Sequence, residues 1–269
     1  MSTPDTATAP DLQALQAALP AEIRRLVRRA SELERRHAGC AHQAPLTTSI
    51  AALDTLLDGG LPRGALVELV GRGSCGRLST LLATLQQVTD TGEAAVLIDQ
   101  GSQLDPQSAA AAGIVLDRLL WLRPTRLDDS LAAAEMLLAT GFGFVALDLG
   151  LPPVLGRPPL AAWLRLARSA ADRQAVVLVG APYRLSGCAS TIVISGGWGR
   201  GRWSGRAGGS RLLDGLTARL KLDRNLGARP RPETDVVAAF TTAEAAFRET
   251  LSTSAAAPST RRHRHAHNI

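Results

Sequence analysis

The sequence predicts an α/β fold: a mostly parallel sheet flanked by helices, with antiparallel strands at one edge. Two observations carry the parallel part. Short apolar runs at 65–70, 94–99, 119–123, 144–148 and 175–179 alternate with amphipathic stretches of helical period. Strands covered on both faces by crossover helices read as such unbroken apolar runs. A third observation carries the edge: Leu216 to Arg224 alternates apolar and polar residues, the pattern of a half-buried strand.

Taken in order, residues 1–10 read as disordered and residues 11–37 as a helix broken near Pro20. Ile23, Val27, Ala30 and Leu33, with Leu26, form one apolar stripe on an arginine-rich helix, a candidate partner-binding arm or a cover for the protein's own surface. Arm and linker occupy 1–44, the core 45–228, and a C-terminal segment and tail 229–269. Thr48 or Ser49 can cap a short helix from Ile50 to Leu57, which ends at Gly59-Gly60. Helices are expected at 78–88, 106–112, 127–140 and 160–171 between the strands already named. Thr191 to Ser195 and Leu216 to Arg224, joined by a Gly-, Arg- and Trp-rich stretch, suggest an antiparallel pair. Pro230 and Pro232 break the chain, a helix is expected near 242–251, and 252–269 is low-complexity, reading as disordered.

Composition narrows the class. A chain of 269 residues with 45% hydrophobic content can bury a full core. No apolar run reaches the ~18 residues of a membrane span, and the polar N-terminus does not read as a signal peptide. Cys40, Cys75 and Cys188 lack metal-ligand spacing and fit a reducing compartment, so no metal site is expected. The formal net charge of +6 points weakly to a polyanion or an acidic partner. Lys221 is the one lysine among 30 basic residues, so part of the arginine content reflects genome bias.

The most telling stretch is Gly71-Arg72-Gly73-Ser74-Cys75-Gly76-Arg77-Leu78. Its G-x-x-x-x-G frame follows a strand and opens a helix, as a phosphate-binding loop does. A working loop continues with a lysine for the β/γ-phosphates and a Ser/Thr hydroxyl for Mg²⁺. Here those positions hold Arg77 and Leu78, and leucine offers no oxygen to a metal. Ser79 does not substitute, because one helical step turns it about 100° away. Gly71, Gly73, Gly76, Arg77 and Leu78 are thus read as a degenerate phosphate loop, whose backbone N–H groups could still hold an anion.

Trp198-Gly199-Arg200-Gly201-Arg202-Trp203-Ser204-Gly205-Arg206 admits two readings. Arginines on phosphates and tryptophans on bases would bind single strands without sequence preference, which marks Trp198, Arg200, Arg202 and Arg206. The alternative is a hairpin with Trp203 packed inward and a solvated arginine face.

These segments together resemble a known family. Thr48 to Asp54, Leu61-Pro62-Arg63-Gly64, the loop, and Ile98-Asp99-Gln100-Gly101-Ser102-Gln103-Leu104-Asp105-Pro106 are similar to the ATP-binding core of RecA-type recombinases, from about Thr47 to Asn225. The resemblance implies a RecA-like core in which Asp148 is the Walker B-type acid, retained as a remnant together with Asp105. It also places the family's water-positioning glutamate at Gly101, its adenine-stacking aromatic at Ser108 and its γ-phosphate-sensing glutamine near Ala181-Pro182. Phosphoryl transfer needs a metal, charge clamps and a positioned water, so no catalytic residue, no cofactor and no enzymatic activity are expected.

Among RecA-like chains with eroded sites, this one resembles the ImuA family, on its size, its loop, Leu119 to Pro124, Trp203-Ser204-Gly205 and Leu213-Asp214-Gly215-Leu216. That resemblance implies a cytoplasmic, nucleoid-associated adaptor in SOS-induced mutagenic translesion synthesis. Its implied partners are an ImuB-type Y-family polymerase homologue, through it a second replicative-type polymerase, and also RecA or weakly bound single-stranded DNA. A DNA-dependent ATPase or recombination mediator, and an inhibitor of RecA filaments, are the alternatives.

Overall fold

A computed structural model of the chain describes residues 44–156, 158–205, 208–226 and 235–241. The arm residues Ile23, Val27, Ala30 and Leu33, as well as Arg206, the helix expected near 242–251 and the tail, lie outside the described residues. All the described elements belong to the unit 44–269.

The chain enters through α1 (Ala51–Leu56). The expected cap is inverted: Asp54 accepts from the Thr48 N–H at 2.9 Å and from its hydroxyl at 2.7 Å, tying the approach to the helix. Then follow β1 (Leu66–Val70), α2 (Arg77–Asp90), β2 (Ala95–Asp99), α3 (Pro106–Ala111), β3 (Leu119–Leu122), α4 (Leu127–Ala139), β4 (Phe144–Asp148), α5 (Leu160–Arg173) and β5 (Val176–Ala181). The second half contributes β6 (Ile192–Gly196), β7 (Arg200–Ser204), β8 (Leu212–Asn225) and β9 (Asp235–Thr241).

These strands form one nine-stranded sheet in the order β3-β2-β4-β5-β1-β6-β8-β7, with β9 on β8. The pairs from β3 to β6 are parallel, and β8 is antiparallel to β6, β7 and β9. The fold is therefore α/β, a mostly parallel sheet flanked by helices with antiparallel edge strands, as the patterning implies. β2, β4 and β5 are buried throughout because helices cover both faces. One layer packs α2 (Leu81, Leu85, Val88) on Val67, Leu97, Ala146 and Leu178. The opposite layer packs α4 and α5, including the buried Trp163, on Val96, Val145 and Val177. Burying such side chains contributes ~1.5–3 kcal/mol each.

β7 pairs antiparallel with β8, as the hairpin reading of the Gly/Arg/Trp stretch expects. β9 goes beyond the expectation: it arises inside the segment 229–269, expected to order on a partner. β9 instead pairs with β8 from Lys221↔Asp235 to Gly215↔Thr241. Ala238 is buried, and Phe240 packs on the α2-side core. Too few apolar residues stand there to fold alone, yet β8 supplies a ready template for seven more residues. Among the described residues no helix is long and apolar enough to cross a membrane.

Candidate functional site: a remodelled phosphate loop

The C-terminal ends of parallel strands are where such sheets place ligands. Register aligns Asp99, Asp148, Gly180 and Leu69 across β2, β4, β5 and β1 at that edge. Above this row the loop after β1 turns into α2 through Gly76, whose φ of 82° lies in the left-handed region that glycine adopts without strain.

Arg77, the first residue of α2, does not reach outward. It is buried and folds beneath the loop. One terminal nitrogen donates to the Gly71 carbonyl at 2.9 Å, and the other donates to the Gly150 carbonyl at 2.6 Å. The second nitrogen also lies 3.5 Å from Asp148 Oδ1. Its stem needs room on β5: a Cβ at Gly180 would stand 3.1 Å from Arg77 Cγ and 2.8 Å from Leu81 Cδ1. The guanidinium thus fastens the loop after β1 to the loop after β4. A lysine carries one nitrogen and lacks the planar fork that places two nitrogens, one on each carbonyl.

Asp148 is buried, and its Oδ1 accepts from the Gly150 N–H at 3.2 Å. Among the described residues Oδ2 has no hydrogen-bond partner, and neither does Arg77 Nε. Burial pushes the Asp148 carboxyl above its ordinary value, against the pull of Arg77 and the Gly150 N–H, and the nearby Asp99 adds to the rise. Asp99 is fully engaged: it accepts from the backbone N–H of Gln103 at 2.9 Å and Leu104 at 3.1 Å, and from Trp121 Nε1 at 3.2 Å.

Gly101 stands in backbone contact with the loop after β4. A Cβ there would lie 2.5 Å from Gly150 Cα and 3.0 Å from Gly150 N. The position that the resemblance gives to a water-positioning glutamate is therefore filled by main chain. Ser108 is exposed and donates through both its N–H (2.8 Å) and its hydroxyl (2.6 Å) to Asp105, the N-cap of α3. Those bonds, the hydroxyl's first, hold the Asp105 carboxyl below the usual carboxylate range.

Leu78 faces a cavity of about 280 Å³ over the loop. Arg72, Gly73, Ser74, Gln103, Leu151 and Leu216 share its lining. A nucleotide–Mg²⁺ pair does not fit these residues: the metal-ligand position carries leucine, the phosphate cation is tied to two carbonyls, and the carboxylate that should orient water has no space. Among the described residues no group of three His, Cys, Asp or Glu could hold a metal ion.

The second candidate surface begins beside the loop, where the Gly199 N–H donates to the Ser74 carbonyl at 2.8 Å. Trp198 is 84% exposed, and Arg200 and Arg202 are exposed as well. Trp203 is 52% exposed rather than packed inward, because its indole lies over Gly201 and Leu213 on its own hairpin. Arg202 is also a tie to β9, donating to the Phe240 carbonyl at 3.3 Å and to Thr241 Oγ1 at 2.9 Å. Gly150, Gly180, Leu151 and Leu216 were not marked by sequence reasoning. The Leu149-Gly150 dipeptide after the buried acid, facing the glycine at 101, is the signal that could have found the first of them.

Comparison with known proteins agrees with this geometry. The RecA N-terminal domain family matches residues 14–149, half of the chain. Protein RecA of Clostridium acetobutylicum is 37% identical over 97 residues, 36% of this chain and 28% of the relative. Protein RecA of Saccharopolyspora erythraea is 37% identical over 105 residues, 39% of this chain and 29% of the relative. Protein RecA of Acinetobacter baumannii is 34% identical over the same length, again 29% of the relative. The aligned part thus spans under a third of each of these relatives. With half of its length matched by that family's model, the chain belongs to the RecA N-terminal domain family.

Proposed function

We infer that this RecA paralogue is a non-catalytic adaptor of the ImuA type, acting in SOS-induced mutagenic translesion synthesis. The observation that carries the non-catalytic part is Arg77, whose two terminal nitrogens bond the Gly71 and Gly150 carbonyls at 2.9 and 2.6 Å. A cation used in this way holds the two loops together without a nucleotide. The adaptor role rests on the resemblance of the sequence to ImuA proteins. Its partners are then an ImuB-type polymerase homologue, through it a second replicative-type polymerase, and RecA or single-stranded DNA.

Co-expression with the ImuB-type homologue tests the reading: the two proteins co-purify as a stoichiometric complex in buffer free of ATP. ATP turnover stimulated by single-stranded DNA would overturn it in favour of a DNA-dependent ATPase. Loss of RecA filaments on addition of the chain, without capture of the polymerase homologue, would favour the inhibitor. On single strands, binding through Arg200 and its neighbours is weak and falls with salt. Arg202→Ala is a poor probe of that contact, because it also loosens β9.

A further inference from the structure

We propose that the cavity over the Gly71–Gly76 loop is a peptide socket: it takes an apolar side chain, flanked by an acidic residue, from a partner protein. The socket rests on the adaptor reading, since it gives that adaptor a place to hold its partner.

The residues that spoil phosphate chemistry here also add carbon. Leu78 from α2, Leu151 from the loop after β4 and Leu216 from β8 converge on one cavity of about 280 Å³. That is at or below the small end of the ~300–1,000 Å³ range of ligand pockets, a size for one or two side chains. Leu151 is 56% exposed, and Leu155 on the same proline-rich connection is 61% exposed. Leucines held in water beside a cavity mark an interaction surface.

Charge selects the occupant. Arg72 lines the cavity, is exposed, and makes no hydrogen bond or ion pair among the described residues. Arg77 also lines it and keeps a buried Nε–H with no partner. Among the described residues no acidic side chain lines the cavity. A carboxylate beside the apolar group would meet the uncompensated charge of Arg72. Trp198, exposed, stands in sequence next to Gly199, whose N–H donates to the Ser74 carbonyl at 2.8 Å, one residue from the rim. Trp and Arg around an apolar centre are the composition of interface hot spots. A nucleic acid fits the cavity less well: its lining has no aromatic face for a base and, apart from the internally tied Arg77, one cation for phosphates.

Random peptides displayed on phage and panned on the full chain test the socket. Selection should enrich Leu, Ile, Met or Phe next to Asp or Glu. A labelled synthetic copy of the enriched peptide should bind about tenfold more weakly to Leu151→Asp, because the variant places a charge in the apolar collar. Arg72→Glu should weaken it similarly and, when panned in turn, select peptides with Lys or Arg in the flanking position. Both positions are exposed, so both variants should unfold at the wild-type temperature. Failure to enrich, enrichment without acidic residues, or binding indifferent to both variants would overturn the socket. So would an oligothymidylate that binds more tightly than the peptide and is lost in the same variants. If the ImuB-type homologue is captured equally by wild type and Leu151→Asp, the socket falls and the adaptor reading stands. If the peptide behaves as expected and no polymerase homologue is captured, the adaptor reading falls and the socket stands.

Discussion

The two halves of the sheet have been treated differently. From β3 to β1 the strands are parallel, and β2, β4 and β5 are buried along their whole length. From β6 to β9 the sheet turns antiparallel, and β7 is mostly exposed, carrying Arg200, Arg202 and Trp203. The parallel half keeps the frame of a nucleotide site, and its polar groups now bond one another. The antiparallel half keeps its polar and aromatic groups turned to solvent. A fold is retained by what its strands bury, whereas a site survives only while its side chains stay free to meet a ligand.

The tryptophans give this contrast its largest expected effect. Trp163, 2% exposed in α5, packs in the core, and Trp198, 84% exposed, does not. Trp163→Ala should cost about 3–5 kcal/mol, and Trp198→Ala should stay within about 0.5 kcal/mol, both read by urea unfolding. Equal losses would break the comparison.

Next comes the internal cation. Arg77→Met strands the Gly71 and Gly150 carbonyls and leaves Asp148 buried without its counter-charge. Breaking a buried pair costs about 3–5 kcal/mol, and the lower end is expected because a carboxyl already pushed upward can take a proton. Arg77→Lys should lose less, about 1–2 kcal/mol, since it keeps the charge and forfeits the fork. Chemical denaturation of both variants orders them; a lysine variant as stable as wild type would contradict the fork.

At Gly101 the expected loss is about 1–3 kcal/mol for Gly101→Ala, the cost of overpacking, because its Cβ would lie 2.5 Å from Gly150 Cα. Gly101→Glu should lose more and gain no ATP turnover. A stable Gly101→Glu variant would show that the two loops part readily.

Much of this was legible in the sequence. The apolar run Phe144–Asp148 gave a strand at its observed bounds, and the other four parallel strands were placed to within one or two residues, because short apolar runs fit strands buried on both faces. The loop's losses at Arg77 and Leu78 were equally plain, since they concern which atoms a side chain owns. What the sequence did not reveal was where those atoms go. Arg77 folding onto Gly150 depends on a residue 73 positions away and on the space that Gly180 leaves. β9 escaped because its seven residues gain a strand only by pairing with β8. The hairpin reading put Trp203 inward, but the short, exposed β7 has no core beneath it to receive an indole.

The smallest effect is a pH dependence. The Asp148 carboxyl is raised in the folded state, so its contribution to stability is fully present below its unfolded value of ~3.9 and is lost as pH rises through the raised value. Subtracting the stability–pH profile of Asp148→Asn from that of wild type should leave a difference that falls with rising pH across this window. A difference that rises with pH would mean that Arg77, rather than burial, governs the carboxyl.

The central claim is that Arg77 and Gly150 have taken over the place where this family would hold a nucleotide. Titration calorimetry of the full chain with ATP–Mg²⁺, paired with thermal unfolding at millimolar nucleotide, tests it most directly. The account predicts no saturable heat and an unchanged Tm. For the double variant Arg77→Lys, Leu78→Thr it predicts at most weak phosphate affinity and no turnover. A micromolar Kd for wild type would contradict it, since a ligand at about 100 times its Kd adds ~2.7 kcal/mol to the folded state and moves Tm upward.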